Sequence, residues 1–412
     1  MRSLNAPGAQ SVFRALKHRP FAWLWTGQII SRFGDSLQRI ALTWYLVEKT
    51  GSATAISRLF IFTFVPNLVF LLLGGVAVDR FPRLRVMLLS DLARGLLVGG
   101  IAALAFVGRL EVWHLYVMVT IFGLVDAFFQ PAYVAVIPEL TPTDVLPSAN
   151  ALTDLSGRIV GIIGPAVSAL LITLGGTSTA FALNALSFFI STACLLPLWR
   201  LRLRHTTDIQ SPSVLADAIE GLTTVLQSPW LWVTIVLFAL VNVTLAGPLG
   251  VALPLLIKKT LRSGVDLLGV FSSLSALGAV LTAVVLGRKT RVHHRGVWAY
   301  GATMVGGIML SMTGLSVGLG GLLLAAFVLG ATTTTFGLIW TTTLQEMVPR
   351  DVLGRVSSVD QLGSFALLPI GYALAGWMTD RLGPPLVLVI GGVMTTGLIA
   401  LGLLHPAIRR LD

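Results

Sequence analysis

The chain has 412 residues, of which 55% are hydrophobic and 11% charged, and its 29 Lys and Arg against 18 Asp and Glu give a net charge of +11. Soluble domains run at roughly 45–50% apolar and 25% charged, so there is too little charge here to coat several soluble domains, and lipid must be the solvent for much of the chain. The basic residues are scattered in short clusters between apolar runs, which excludes a nucleic-acid patch, and one cysteine, Cys194, excludes an intramolecular disulfide and any thiolate metal site.

The N-terminal segment carries Arg14, Lys17 and Arg19 before its first apolar run. That run outlasts the hydrophobic region of a signal peptide and has no clear small-residue cleavage site, so it reads as a retained span. A helix needs roughly 20 mainly apolar residues to cross the hydrocarbon. Twelve such segments follow in order: 21–46, 54–78, 86–107, 113–137, 151–174, 178–199, 230–257, 265–287, 297–316, 320–343, 356–379 and 384–404. Pro66, Gly164-Pro165, Gly247-Pro248, Pro254 and Pro369 fall inside them, as membrane helices tolerate where neighbouring helices or water satisfy the freed backbone groups. The longest polar stretch, 200–229, separates spans six and seven; in it Leu215, Ile219, Leu222 and Leu226 share one helical face that would lie along a membrane surface. The expected organisation is an N-terminal six-helix half at 1–199, a linker at 200–229 with an amphipathic helix, and a C-terminal six-helix half at 230–412. The fold class is all-α integral membrane, with twelve transmembrane helices in two halves.

Orientation follows from the Lys/Arg bias. With the N-terminus in the cytoplasm, cytoplasmic segments hold 18 of the 29 basic residues and the outer segments hold 7. Both termini are therefore expected in the cytoplasm, with the protein in the inner (plasma) membrane.

Between spans two and three stands GGVAVDRFPRLR, Gly74 to Arg85. The run Gly75-Val-Ala-Val-Asp79-Arg80-Phe-Pro-Arg83-Leu-Arg85 resembles the signature loop of the major facilitator superfamily, and twelve spans in two halves around a long central loop are similar to that superfamily over essentially the whole chain. GQIISRFGDSLQRIAL in span one, FFQPAYVAVIPELTPTDVLPSANAL across spans four and five, and LQEMVPRDVLGRVSS leading into span eleven resemble the branch containing the enterobactin and macrolide exporters. The pattern departs from the family in three places: Leu84 separates Arg83 from Arg85, the second-half loop GRKTRVHHRG has lost its acid, and Ser168 and Ala169 replace paired glycines in span five. Span eleven ends in Gly376-Trp-Met-Thr-Asp380-Arg381, which repeats the glycine-to-Asp-Arg spacing of the loop. The resemblance implies transport by alternating access, with the loop as a gate. Gly75 would permit close helix approach, and Asp79 would meet the positive N-terminal end of span eleven near Arg355. Arg80, Arg83, Arg85 and Asp91 would complete the gating network, and Arg94 belongs to the same loop network.

Four basic residues, Arg32, Arg39, Arg94 and Arg158, are left over inside the spans, and Asp35, Asp91, Asp126 and Asp154 are there too. Each costs about 2.5–3.5 kcal/mol at mid-membrane unless paired or bathed in a cavity. Gln28, Arg32, Asp35 and Arg39 are spaced to share one helical face. Burial disfavours the charged form of a carboxylate and a nearby arginine favours it. Asp35 or Asp126 is therefore the candidate proton carrier, with Arg39 or Arg158 as alternating partner; the alternative is a static ion pair. Candidate substrate-lining groups are Gln28, Asn67, Phe129, Gln130, Tyr133, Asn242, Phe336, Trp340 and Gln361, a set suited to a bulky, partly apolar molecule.

The chain offers no metal-ligand cluster, nucleophile elbow or Walker-type phosphate loop, so it is expected to be neither an enzyme nor an ATP-driven pump, to carry no metal or other cofactor, and to work as a monomer. The function expected is proton-coupled efflux of a bulky amphipathic organic molecule of drug, macrolide or siderophore type, as an antiporter. The alternative is a lysophospholipid flippase or nutrient importer of the same fold.

Overall fold

The computed structural model describes residues 9–199, 214–288, 292–315 and 317–412; the side chains of 9–12, 71–80 and 214–218 lie outside that description. A 3-10 helix at Ala9–Lys17 leads into α1 (Arg19–Thr50), α2 (Ala53–Arg80), α3 (Arg83–Phe106), α4 (Val112–Leu140) and α5 (Leu146–Leu195). Then follow α6 (Val214–Gln227), α7 (Pro229–Leu255), α8 (Val265–Gly287), α9 (Arg295–Gly314), α10 (Gly318–Met347), α11 (Leu353–Phe365), α12 (Leu368–Leu382), α13 (Pro384–Leu404) and the short α14 (Pro406–Arg409). Among the described residues nine helical segments are long and apolar enough to cross a membrane. Helices are the natural outcome in lipid, where each backbone N–H and C=O must be satisfied within its own segment.

Twelve spans result when α5 is divided in two, α11 and α12 are taken as one, and α1 and α9, which fall outside those nine, are added. Gly176 sits inside α5 at φ 74°, ψ 171°, a conformation open to glycine and costly for other residues, and divides the helix between the fifth and sixth expected spans. Pro369 falls at the first turn of α12, where its missing N–H ends α11 and starts a new helix, so the eleventh span is made of α11 and α12.

The described chain forms two compact units, one of 9–45 with 62–199 and one of 46–61 with the residues from 214 onward. In the first, α3 packs against α4 and α5. Its core is built from Phe21, Leu24, Leu84, Met87, Phe129, Tyr133, Val136 and Leu152. In the second, α9 packs on α13 and α10, α8 on α10, and α7 on α12 and α13. Small residues bring the backbones together there: a Cβ on Gly330 would stand 1.7 Å from the Ser275 carbonyl oxygen, the close approach that membrane helices use in place of a hydrophobic drive. Leu170, Leu174, Val393, Leu401 and Leu404 are exposed, with Leu174 at 75%. On helices of this length such bare apolar faces suit contact with acyl chains. On α6, Ile219, Leu222 and Leu226 are exposed while Gly221 and Val225 are buried, with Gly221 against the Arg355 backbone.

Candidate functional site

In the first unit, polar side chains from α1, α3, α4 and α5 meet in an otherwise apolar interior. Asp91 on α3 is fully buried. Its Oδ1 accepts a hydrogen bond from Arg94 Nη2 at 2.6 Å, and its Oδ2 accepts one from Ser191 Oγ at 2.6 Å. Gln28 on α1 donates from Nε2 to Ser191 Oγ at 3.1 Å and also bonds Asp91. Arg94, one turn after Asp91, turns its other nitrogen, Nη1, towards Asp126 Oδ1 on α4 at 3.6 Å. The guanidinium carbon lies 4.0 Å from the centre of the Phe129 ring, 4.9 Å from Phe188 and 5.6 Å from Phe122.

One guanidinium therefore serves two carboxylates inside an aromatic cage. Cation–π contacts are worth about 2 kcal/mol or more when desolvated, and they supply part of what Arg94 loses on leaving water. The two acids are held differently. Asp91 is fixed by three donors, whereas half-buried Asp126 has the longer contact to Arg94 and a hydrogen bond with Gln130. Asp35 on α1 lies within electrostatic reach of Arg94, Arg39, Asp126 and Asp91, and its buried Oδ1 has no hydrogen-bond partner among the described residues.

The second unit carries a ladder of rings. Phe238 stacks on Phe336 at 3.7 Å between centroids, Phe336 lies parallel to Trp340 at 6.1 Å, and Trp230 and Tyr300 close the ends edge-on. Trp340 Nε1 donates to Asp360 Oδ2 at 3.0 Å, Ser364 Oγ to Asp360 Oδ1 at 3.3 Å, and Asn242 Nδ2 to the Ser364 carbonyl at 2.9 Å.

Elsewhere in that unit Asp380, at the end of α12, receives the backbone N–H groups of Ala53 and Thr54 at 2.7 and 2.9 Å and the Ser52 hydroxyl at 2.9 Å. It thus caps the first turn of α2 from outside that helix, where orphan donors and the helix dipole both favour an anion. One turn earlier Gly376 lies so close to α2 that a Cβ would stand 2.1 Å from Ser57 Oγ.

A model of the Major Facilitator Superfamily matches residues 24–371. The chain belongs to that superfamily. It is 25% identical over 397 residues to macrolide efflux protein A of Streptococcus pyogenes, covering 95% of this chain and 97% of that protein. It is 26% identical to the enterobactin exporter EntS of Shigella boydii serotype 18, covering 89% of this chain and 87% of the exporter. Its fold matches the crystal structure of a bacterial homologue of the iron transporter ferroportin at TM-score 0.71 and 16% identity, over 93% of this chain and 98% of that one. Twelve helices in the major facilitator fold, a multi-pass membrane location and transport of small molecules follow, and members of this superfamily are transporters rather than enzymes.

Within this superfamily transporter, the residues expected to carry function fall into three sets. Asp126, Asp35, Asp91, Gln28 and Phe129 come together around Arg94, and Gln130 joins them through Asp126. Arg39 and Arg158, expected to partner the acids, are exposed, and the cation beside Asp126 is Arg94. Arg94 and Asp91 had been expected among the loop charges; they are instead sealed in the core at 2% and 0% exposure. Tyr133 lies beneath Arg32, whose guanidinium is 5.3 Å from the ring centre, and Asn67 Nδ2 donates to the Gly123 carbonyl at 3.4 Å. Asn242, Phe336 and Trp340 share the second-unit ladder, while Gln361 is exposed.

Of the gating set, Arg83 pairs with Glu139 and also reaches the Ala135 carbonyl at 3.3 Å. Arg85 lies 5.3 Å from the centre of the Trp199 ring, and Arg355 pairs with Glu220 at 2.7 Å. The side chains of Gly75, Asp79 and Arg80 lie outside the described residues, as do Arg200, Arg202, Arg204 and Leu215 of the linker.

Sequence reasoning missed Ser191 and Asp360. Ser191 gives no signal, being one of many hydroxyls in span six. Asp360 does give one: it is a lone acid inside the eleventh span, with no Lys or Arg from Val356 to Asp380.

Proposed function

We propose that this transporter exports a bulky amphipathic organic molecule in exchange for protons by alternating access. The observation that carries the reading is the sharing of Arg94 between Asp91 and Asp126, with Asp35 beside them. A fully buried and a half-buried carboxylate around one guanidinium leave an excess negative charge, and an uncompensated charge drawn away from water is expensive. A bound proton removes that excess.

Asp91, held by Arg94, Ser191 and Gln28, is the fixed partner. Asp126 is the exchanging one: with a proton it releases Arg94 to Asp91, and without one it competes for the guanidinium. Asp35, with a buried oxygen that meets no donor among the described residues, is the second position able to hold the proton. Changing water access to this group during the cycle would load and discharge it. Export rather than uptake is supported by relatives named for macrolide efflux and enterobactin export. The basic bias of the loops supports an inner-membrane orientation with both termini in the cytoplasm, and the two six-helix halves, joined by 200–229, supply the moving parts.

The gate is proposed at Asp79, with Gly75, Arg80, Arg83, Arg85 and Arg355. Its chemistry is supported by the repeated spacing at Gly376 and Asp380, where the glycine permits close approach and the acid caps a helix. The test is an efflux screen in a host lacking its own pumps, with macrolides and catecholate siderophores as cargo and the membrane pH gradient set externally. Export that rises with the inward proton gradient is expected; export indifferent to it, or uptake of the same cargo, would overturn the reading.

A further inference from the structure

We infer that Asp360 and the aromatic ladder of the second unit form a binding subsite for a lipophilic organic cation, so that the cargo is a protonated amine or quaternary centre carried on a bulky apolar body. This rests on the transport reading and narrows its substrate class. The inference begins with a charge that no cation among the described residues balances. Asp360 lies half-buried within a span, and both its oxygens are met by neutral donors, Trp340 Nε1 and Ser364 Oγ. None of the ion pairs among the described residues reaches it. The sequence explains why: no Lys or Arg occurs between Trp230 and Ile257, between Gly296 and Pro349, or between Val356 and Asp380. The basic residue next along the chain is Arg355, which pairs with Glu220. The first unit is opposite in design, since its buried acids are served by Arg94.

The surroundings select the kind of counterion. Trp340, whose Nε1 donates to the carboxylate, carries the ladder on through Phe336 to Phe238 and edge-on to Trp230, and electron-rich ring faces attract cations, more so for organic ammonium groups whose own hydration is weak. An inorganic ion would ask instead for several oxygen ligands, and the ladder supplies carbon. On α10, the helix that carries Phe336 and Trp340, Thr333, Gly337 and Thr341 are exposed along one face, and a Cβ added at Gly337 would meet nothing within 4 Å, so there is room beside the helix.

The test is equilibrium binding to the purified full-length protein in detergent, which needs no transport and so fails or succeeds independently of proton coupling. Radiolabelled tetraphenylphosphonium is the probe, and tetraphenylborate, nearly the same shape with the opposite charge, is its competitor. Saturable binding of the phosphonium is expected, with the borate at least about tenfold weaker as a competitor than unlabelled phosphonium. Asp360→Asn should weaken phosphonium binding about tenfold and Asp360→Glu should largely restore it. Borate competing as well as phosphonium in the unmodified protein would overturn the proposal without any variant. So would an Asp360→Asn protein that binds phosphonium as tightly as the unmodified one. If transport proves independent of protons while these binding results hold, the subsite stands and the coupling reading falls.

Discussion

Replacing Arg94 by leucine removes the one buried cation among the described residues of the first unit. Its side chain is 3% exposed and that of Asp91 0%, so Asp91 is left with Ser191 and Gln28 and no positive charge. Removing one partner of a buried ion pair costs about 3–5 kcal/mol, and the contacts to Phe129, Phe188 and Phe122 are lost as well. Those contacts add about 2 kcal/mol, while uptake of a proton by Asp91 reduces the total; the net expectation is about 3–5 kcal/mol. The signature is non-additivity. The double variant Asp91→Leu/Arg94→Leu removes both buried charges and should be more stable than Arg94→Leu alone by about 2 kcal/mol or more. Equilibrium unfolding of the purified proteins in mixed micelles, followed by tryptophan fluorescence, measures both. A single variant within about 1 kcal/mol of the unmodified protein, or a double variant less stable than the single, would refute the shared-guanidinium argument.

Three further outcomes follow from the same geometry. Asp380→Ala should cost about 0.5–2 kcal/mol at the first turn of α2 and speed hydrogen exchange at the Ala53 and Thr54 amides it holds; unchanged protection there would contradict the cap. Gly330→Ala forces a methyl group against the Ser275 carbonyl between α8 and α10 and should lower the melting temperature, while Gly337→Ala, which meets open space, should not; equal behaviour of the two would remove the close-packing account. Asp79→Asn should slow transport while leaving cargo binding intact, as steady-state efflux and equilibrium binding compared side by side will show, and loss of binding in a folded protein would count against a gate there.

The spans were legible because lipid demands long apolar runs and punishes exposed backbone. The two irregular points, Gly176 and the Ala366–Leu367 step before Pro369, carry visible glycine and proline signals. What the sequence withholds is azimuth. Helices that are apolar nearly all round do not reveal which side faces a neighbour, so Arg39 and Arg158, in register with acids along the chain, are exposed while Arg94 is buried. Its neighbourhood depends on Phe122, Phe129 and Phe188 from two other helices, a convergence that no spacing within α3 encodes. The Gly376–Asp380 repeat was legible as a pattern. Its target, the first turn of α2, was set by packing.

Proton exchange at Asp126 is the centre of this account, and inside-out proteoliposomes given a labelled macrolide test it most directly. With the lumen acidified, the unmodified protein should accumulate the macrolide, and collapsing the gradient should abolish accumulation. Asp126→Asn should retain exchange of macrolide down its own gradient and lose the pH-driven accumulation. Accumulation by Asp126→Asn at the unmodified rate would contradict the account.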